Sequence, residues 1–222
     1  MKPQRSKNKE GGHESKDPQD STKCRLHDRD SRGANIYDGD YGLLHFFVMS
    51  TDLSYPIGRF GGEQVNAGNQ KKIILDIAEH PGRLRDALEG LSDSQLNTPY
   101  RPGGWTIRQV VHHLADSHLH SYIRTRFALT LNEPTIMAYD ENAWAALKDA
   151  KSGPVEPSLL LLDGLHTRWS QLLESLTDSD WSQKFIHPER GVLTLSTHIP
   201  IYAWHSCHHT AHITSLRKRM GW

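Results

Sequence analysis

Thr106-Ile107-Arg108-Gln109-Val110-Val111-His112-His113-Leu114 opens a helix, and the reading of the fold starts from it. A threonine followed three residues later by glutamine is a capping box, in which each side chain closes one of the other's free backbone donors. Behind it, Ile107, Val110, Val111 and Leu114 recur at the spacing of one helix face. The pattern runs to about Leu131, before Asn132 and Pro134 stop it.

Similar patterns lie on either side. Upstream, Ile73, Ile74, Ile77, Leu84, Leu88 and Leu91 make the stripe of a helix expected to be interrupted or restarted at His80-Pro81. Pro99, Pro102, Gly103 and Gly104 make a loop. Downstream, Asp140 is placed to cap a short helix through Ala143, Trp144 and Leu147. Pro157 suits the first residue of a further helix, to which Leu161, Leu162, Leu165, Trp169, Leu172, Leu173 and Leu176 give a wide apolar face. Thr197 is expected to cap the last long helix, through Ile201, Trp204, Ile213 and Leu216 to Met220. Strand signals are weak except at Val192-Leu193-Thr194-Leu195. Four long amphipathic segments joined by loops and short helices predict an all-α four-helix bundle.

Composition narrows the function. The 222 residues carry 26 basic and 26 acidic side chains, so no general attraction to nucleic acid or an anionic membrane is expected. No apolar run approaches the roughly 20 residues that span a bilayer. Two cysteines, Cys24 and Cys207, cannot build a disulfide framework, which fits a reducing cytoplasm. Residues 1 to about 40 are rich in Lys, Asp, Ser, Gly and Gln and nearly free of aliphatics, so they are read as disordered. The expected organisation is an N-terminal extension over 1–50 and one domain over 51–222. Walker, dinucleotide-binding and Gly-x-Ser-x-Gly motifs do not occur.

The chain has 15 histidines, and nine fall in two clusters: His112, His113, His118 and His120, then His198, His205, His208, His209 and His212. Helix geometry limits which can converge, since each residue steps about 100° around the axis. On the last helix His205 and His209 lie within about 40° of the middle of the buried face, one turn apart, where two imidazoles can share an ion. His208 and His212 form a competing pair. On the helix from Ile107, His113 is nearer the apolar face than His112, while His118 is more central than either. Periodicity does not choose between His113 and His118. Inward imidazoles on two helices must otherwise stay neutral and find partners, and a shared cation meets both needs.

Longer stretches are similar to a known family. Tyr55 to Phe60, Thr98 to His118, Trp204-His205-Ser206 with His208-His209, and Ala211-His212-Ile213-Thr214 resemble the YfiT branch of the DinB-like metalloprotein superfamily. The resemblance covers about Thr51 to Trp222. It implies a DinB-like four-helix bundle, usually a homodimer, with one divalent metal per subunit on three histidines. The implied ligands are the second His of the His-His pair, His113, the His after Trp, His205, and the His four residues on, His209. The family's usual N-terminus falls near Met49 to Leu53, so residues 1–48 are expected to be an upstream extension, with a misassigned start codon as one origin.

A three-imidazole site leaves coordination positions open, which marks catalytic metal sites. Zinc and nickel both suit imidazole. Members of the family are provisionally described as metal-dependent hydrolases, and some relatives transfer a low-molecular-weight thiol such as bacillithiol. The expectation is therefore a cytoplasmic enzyme acting on a small molecule. Its nucleophile is a metal-activated water, or alternatively a metal-bound thiolate. A non-catalytic metal-binding stress protein is the rival of another class. Asp116, Asp140, Glu141 and His187 are candidate general bases, each also readable as a cap, a surface charge or a turn residue.

Overall fold

The computed structural model describes residues 52–222; the expected extension over 1–50 lies outside the described residues. Four long helices dominate: α1 (Gln70–Leu88), α3 (Ile107–Thr130), α6 (Glu156–Glu174) and α8 (Leu195–Met220). The short helices α2 (Asp93–Leu96), α4 (Glu141–Ala145), α5 (Lys148–Ser152) and α7 (Asp178–Trp181) fill the connections. Strands β1 (Lys184–His187) and β2 (Gly191–Thr194) form an antiparallel hairpin, with Lys184 opposite Thr194 and His187 opposite Gly191. Helices α1 and α3 each pack against both α6 and α8, so they stand diagonally across a four-helix bundle. No helix among the described residues is long and apolar enough to cross a membrane.

The capping box at Thr106 and Gln109 starts α3 as its residues require. Asp140 caps α4 by accepting from the amides of Asn142 and Ala143. Two expectations are corrected. Helix α1 runs unbroken through Pro81. Helix α8 begins at Leu195 with Thr194 as its cap; Thr197 is only the reciprocal partner in that box, so Pro200 falls inside the helix. Each proline removes the N–H that would bond the carbonyl four residues back. Other donors replace it: Val65 N–H bonds Ser196 at 2.9 Å, and the His166 ring bonds Ile77 at 2.6 Å. A substitute donor is what keeps each helix continuous.

The core has two apolar clusters. One holds Ile73, Ile77, Trp169, Phe185, Leu195 and Ile199; the other holds Leu84, Val110, Val111, Leu114, Leu162 and Ile213. Along every long helix a histidine sits between residues of the two: His80 between Ile77 and Leu84, His118 between Leu114 and Tyr122, His166 between Leu162 and Trp169, and His205 between Tyr202 and Ile213. The bundle carries a polar layer of imidazoles across its middle.

Candidate metal centre

Helix α8 presents His205 and His209 one turn apart, and α3 presents His113 to them. A nitrogen of each ring lies within 4.8 Å of one on each of the others. His113 Nε2 and His205 Nε2 are 3.2 Å apart, and the ring centroids are 4.4 to 5.2 Å apart. The loop before α3 turns back at Gly103, whose φ of 68° is in the left-handed region that favours glycine. It lays Trp105 over the site, 4.7 Å from the His113 ring and 6.4 Å from that of His209.

Burial sets the charge state. Desolvation lowers the His113 pKa to about 4. It is also the main cause holding His205 and His209 well below 6.5, with the neighbouring imidazoles adding to it. Protonating any of these rings would place a cation beside others in a low-dielectric setting. Each neutral imidazole keeps one bare ring nitrogen, so the three can hold a divalent cation together, a donor set that suits zinc or nickel. The residues fit a metal site.

The other inward histidines have different places. His118, the more central choice by periodicity, is fully buried behind the site, with Nε2 3.1 Å from His205 Nδ1 and Nδ1 2.9 Å from His166 Nε2. His212 Nδ1 is 3.3 Å from His209 Nδ1, and its Nε2–H donates to the Ser54 carbonyl at 3.2 Å. His208 stacks on Trp204 at 4.4 Å. His208, His209 and His212 also bring nitrogens within 4.8 Å of one another, as do His80, His118 and His166.

A cavity of about 480 Å³ opens on the site. His113, His205 and His209 line it, together with Arg124 farther along α3, His198 two turns earlier on α8 and His187 of β1. Among the candidate bases, Glu141 and His187 line the cavity. His187 Nδ1 also accepts the Glu189 amide at 3.2 Å, as a turn residue would. Asp140 is spent on its cap. Asp116 is not on the cavity wall, although burial, helped by Asp149, raises its pKa to about 6.

Arg124 was not singled out from sequence. It is 7% exposed, donates from Nη2 to the Met137 carbonyl at 3.0 Å, and has a buried Nε without a partner among the described residues. No carboxylate of a described residue lies within 4.0 Å of it. The signal was available: Ser117, Ser121 and Arg124 follow His113 at 4, 8 and 11 residues, on one helix face.

A family model described as the DinB superfamily matches residues 76–213. YfiT of Bacillus subtilis, provisionally named a metal-dependent hydrolase, is 51% identical over 177 residues, covering 79% of this chain and 99% of its own. A Geobacillus thermodenitrificans protein with the same provisional name is 50% identical, covering 78% and 100%. The solved structure of Bacillus subtilis YfiT, described as an unusual four-helix bundle topology, matches with a TM-score of 0.74 at 50% identity, covering 77% of this chain and 98% of that one.

Proposed function

We propose that this chain, which belongs to the DinB superfamily, is a metal-dependent hydrolase of small molecules with His113, His205 and His209 as its metal ligands. The observation that carries the reading is the convergence of three inward-facing, neutral imidazoles from two helices at the wall of one cavity. A divalent ion there would supply Lewis acidity, lowering the pKa of a bound water and polarising a carbonyl.

The chain's own residues do the rest. Trp105 covers one side of the site and excludes water from it. Arg124, buried and without a carboxylate partner among the described residues, offers a cationic anchor in the same cavity. A buried guanidinium left uncompensated is costly unless a ligand supplies the anion. The substrate class is accordingly a small molecule bearing an anionic group, oriented by Arg124 with its reactive carbonyl at the histidines. The homodimer expected from the resemblance belongs to this proposal, and light scattering of the purified protein checks it.

The test is a screen of zinc-loaded and nickel-loaded protein against small esters and amides, with and without added thiols. The expected result is turnover that needs metal but no thiol and disappears on chelation. Product that forms only with thiol present would replace the hydrolase by a thiol transferase. Metal uptake without turnover of any kind would favour the non-catalytic reading.

A further inference from the structure

Pro81 has no N–H, so the carbonyl of Ile77 loses its helical donor. The ring that takes its place belongs to α6: His166 Nδ1 lies 2.6 Å from that oxygen. A carbonyl oxygen only accepts, so the His166 proton is on Nδ1 and Nε2 is bare. His166 Nε2 therefore accepts from His118 Nδ1–H across 2.9 Å. That leaves His118 Nε2 bare, and it accepts from His205 Nδ1–H across 3.1 Å. Every link follows from the one before it, because a neutral imidazole carries a single N–H.

We propose that Pro81, His166 and His118 act as a positioning relay that starts at the Ile77 carbonyl and holds His205 with its Nε2 bare toward His113. A second, shorter relay does the same for His209. His212 Nε2–H donates to the Ser54 carbonyl at 3.2 Å, so His212 Nδ1 accepts from His209 Nδ1–H at 3.3 Å and His209 Nε2 is left bare. Tyr100 stacks on the His212 ring at 3.9 Å and holds it in plane. Metal-binding histidines commonly rest their other N–H on a carbonyl or carboxylate. Here imidazoles intervene, and a proline-freed carbonyl fixes the direction of the longer relay. The inference rests on the reading of His113, His205 and His209 as ligands.

A second cation held by His80, His118 and His166 is the competing use of the same residues. His80 is fully buried with both ring nitrogens unpartnered among the described residues, and its ring lies 5.1 Å from those of His118 and His166. Such an ion would need His118 Nδ1 bare. The His118 proton would then sit on Nε2, and the His205 proton would be driven onto the nitrogen that faces His113. Occupying one site opposes the other, while the relay is complete from Ile77 to His205 with no ion at His80.

The test combines ring nitrogen NMR with zinc binding. In metal-free wild-type protein the expected spectrum has His205 and His209 protonated on Nδ1 and bare on Nε2. By chelator competition, His118→Leu is expected to bind zinc 10- to 100-fold more weakly, the usual loss when a ligand's supporting partner is removed, and His166→Leu several-fold more weakly. Both variants should shift the His205 ring signals and leave those of His209 in place, which a general loosening of the fold would not do. The relay is overturned if metal-free His205 carries its proton on Nε2, if His118→Leu binds zinc as wild type does, or if wild type takes up two zinc ions per chain. The wild-type spectrum decides even where a variant does not fold. Failure of wild type to bind zinc at all would instead sink the ligand assignment, while the metal-free spectrum would still report on the relay.

Discussion

His166 donates from Nδ1 to the carbonyl of Ile77 across 2.6 Å, and both residues are fully buried in the interior of the bundle. The bond is made by the neutral ring, and burial outweighs the help that this carbonyl gives the charged form, so the His166 pKa falls to about 4. Burial, with Arg124 and Arg190 adding to it, lowers His198 to about 3. Both folded values lie below the ordinary 6.5, so between them and 6.5 the unfolded chain binds protons that the folded one refuses. Stability of the metal-free protein is therefore level above about pH 7 and falls as pH drops below 6.5. A single His moved from 6.5 to about 4 accounts for about 3 kcal/mol once pH is below 4. Such a loss is large against the usual 5–15 kcal/mol of a domain of this kind. Melting temperatures measured from about pH 8 down to 4 check this, and a value that stays constant down to about pH 4.5 would refute it.

His113→Ala removes the one ligand contributed by α3. Zinc binding should weaken by more than about 100-fold, since loss of a mere supporting partner costs 10- to 100-fold. His208→Ala is the informative companion. His208 belongs with His209 and His212 to the other trio on α8, but it rests on Trp204 at 4.4 Å rather than on His113. The prediction is zinc affinity within a few-fold of wild type for His208→Ala. The reverse order of the two variants, measured by chelator competition, would move the ion to the His208 trio.

Much of this centre was legible from pattern, and the limits have physical causes. Thr106 and Gln109 announce α3 because a capping box is local in sequence, and His205 and His209 share a face because helical period is local too. The choice between His113 and His118 was not local. Both point inward from α3, and what separates them is which neighbouring atoms each meets: His205 Nε2 for His113, His205 Nδ1 and His166 Nε2 for His118. His166 itself stood among the scattered histidines, since its role depends on a carbonyl exposed by Pro81 on another helix. Pro81 reads as a break because local rules count a lost N–H as unrecovered, whereas here His166 arrives from distant sequence to replace it.

Arg108 on α3 is a structural counterpart to these histidines. It is 3% exposed, donates from Nε to Asn97 at 2.9 Å and from Nη1 to the Gly153 carbonyl at 2.6 Å, and pairs with Asp93 through Nη2. It joins α2, α3 and the end of α5, away from the cavity wall. Arg108→Leu leaves these partners without their donor and should cost about 2–4 kcal/mol. Chemical denaturation would show the loss. Zinc affinity of the folded variant should be unchanged, and a variant of wild-type stability would show these bonds to be dispensable.

Arg124 should behave in the opposite way. Its guanidinium is buried with a single carbonyl partner, so the fold bears a charge that nothing in the described protein neutralises. Arg124→Met keeps much of the side-chain volume and removes that charge. The expected result is a melting temperature equal to wild type or a few degrees higher, because replacing an uncompensated buried ion by an apolar side chain relieves desolvation. The same change should abolish the binding of small anions. Isothermal titration of metal-free protein with inorganic phosphate, and separately with succinate, isolates this from any anion held by the ion itself. Wild type should bind at least one of them and Arg124→Met neither. A clear fall in melting temperature with anion binding intact would make Arg124 a structural residue and remove the anionic group from the substrate class.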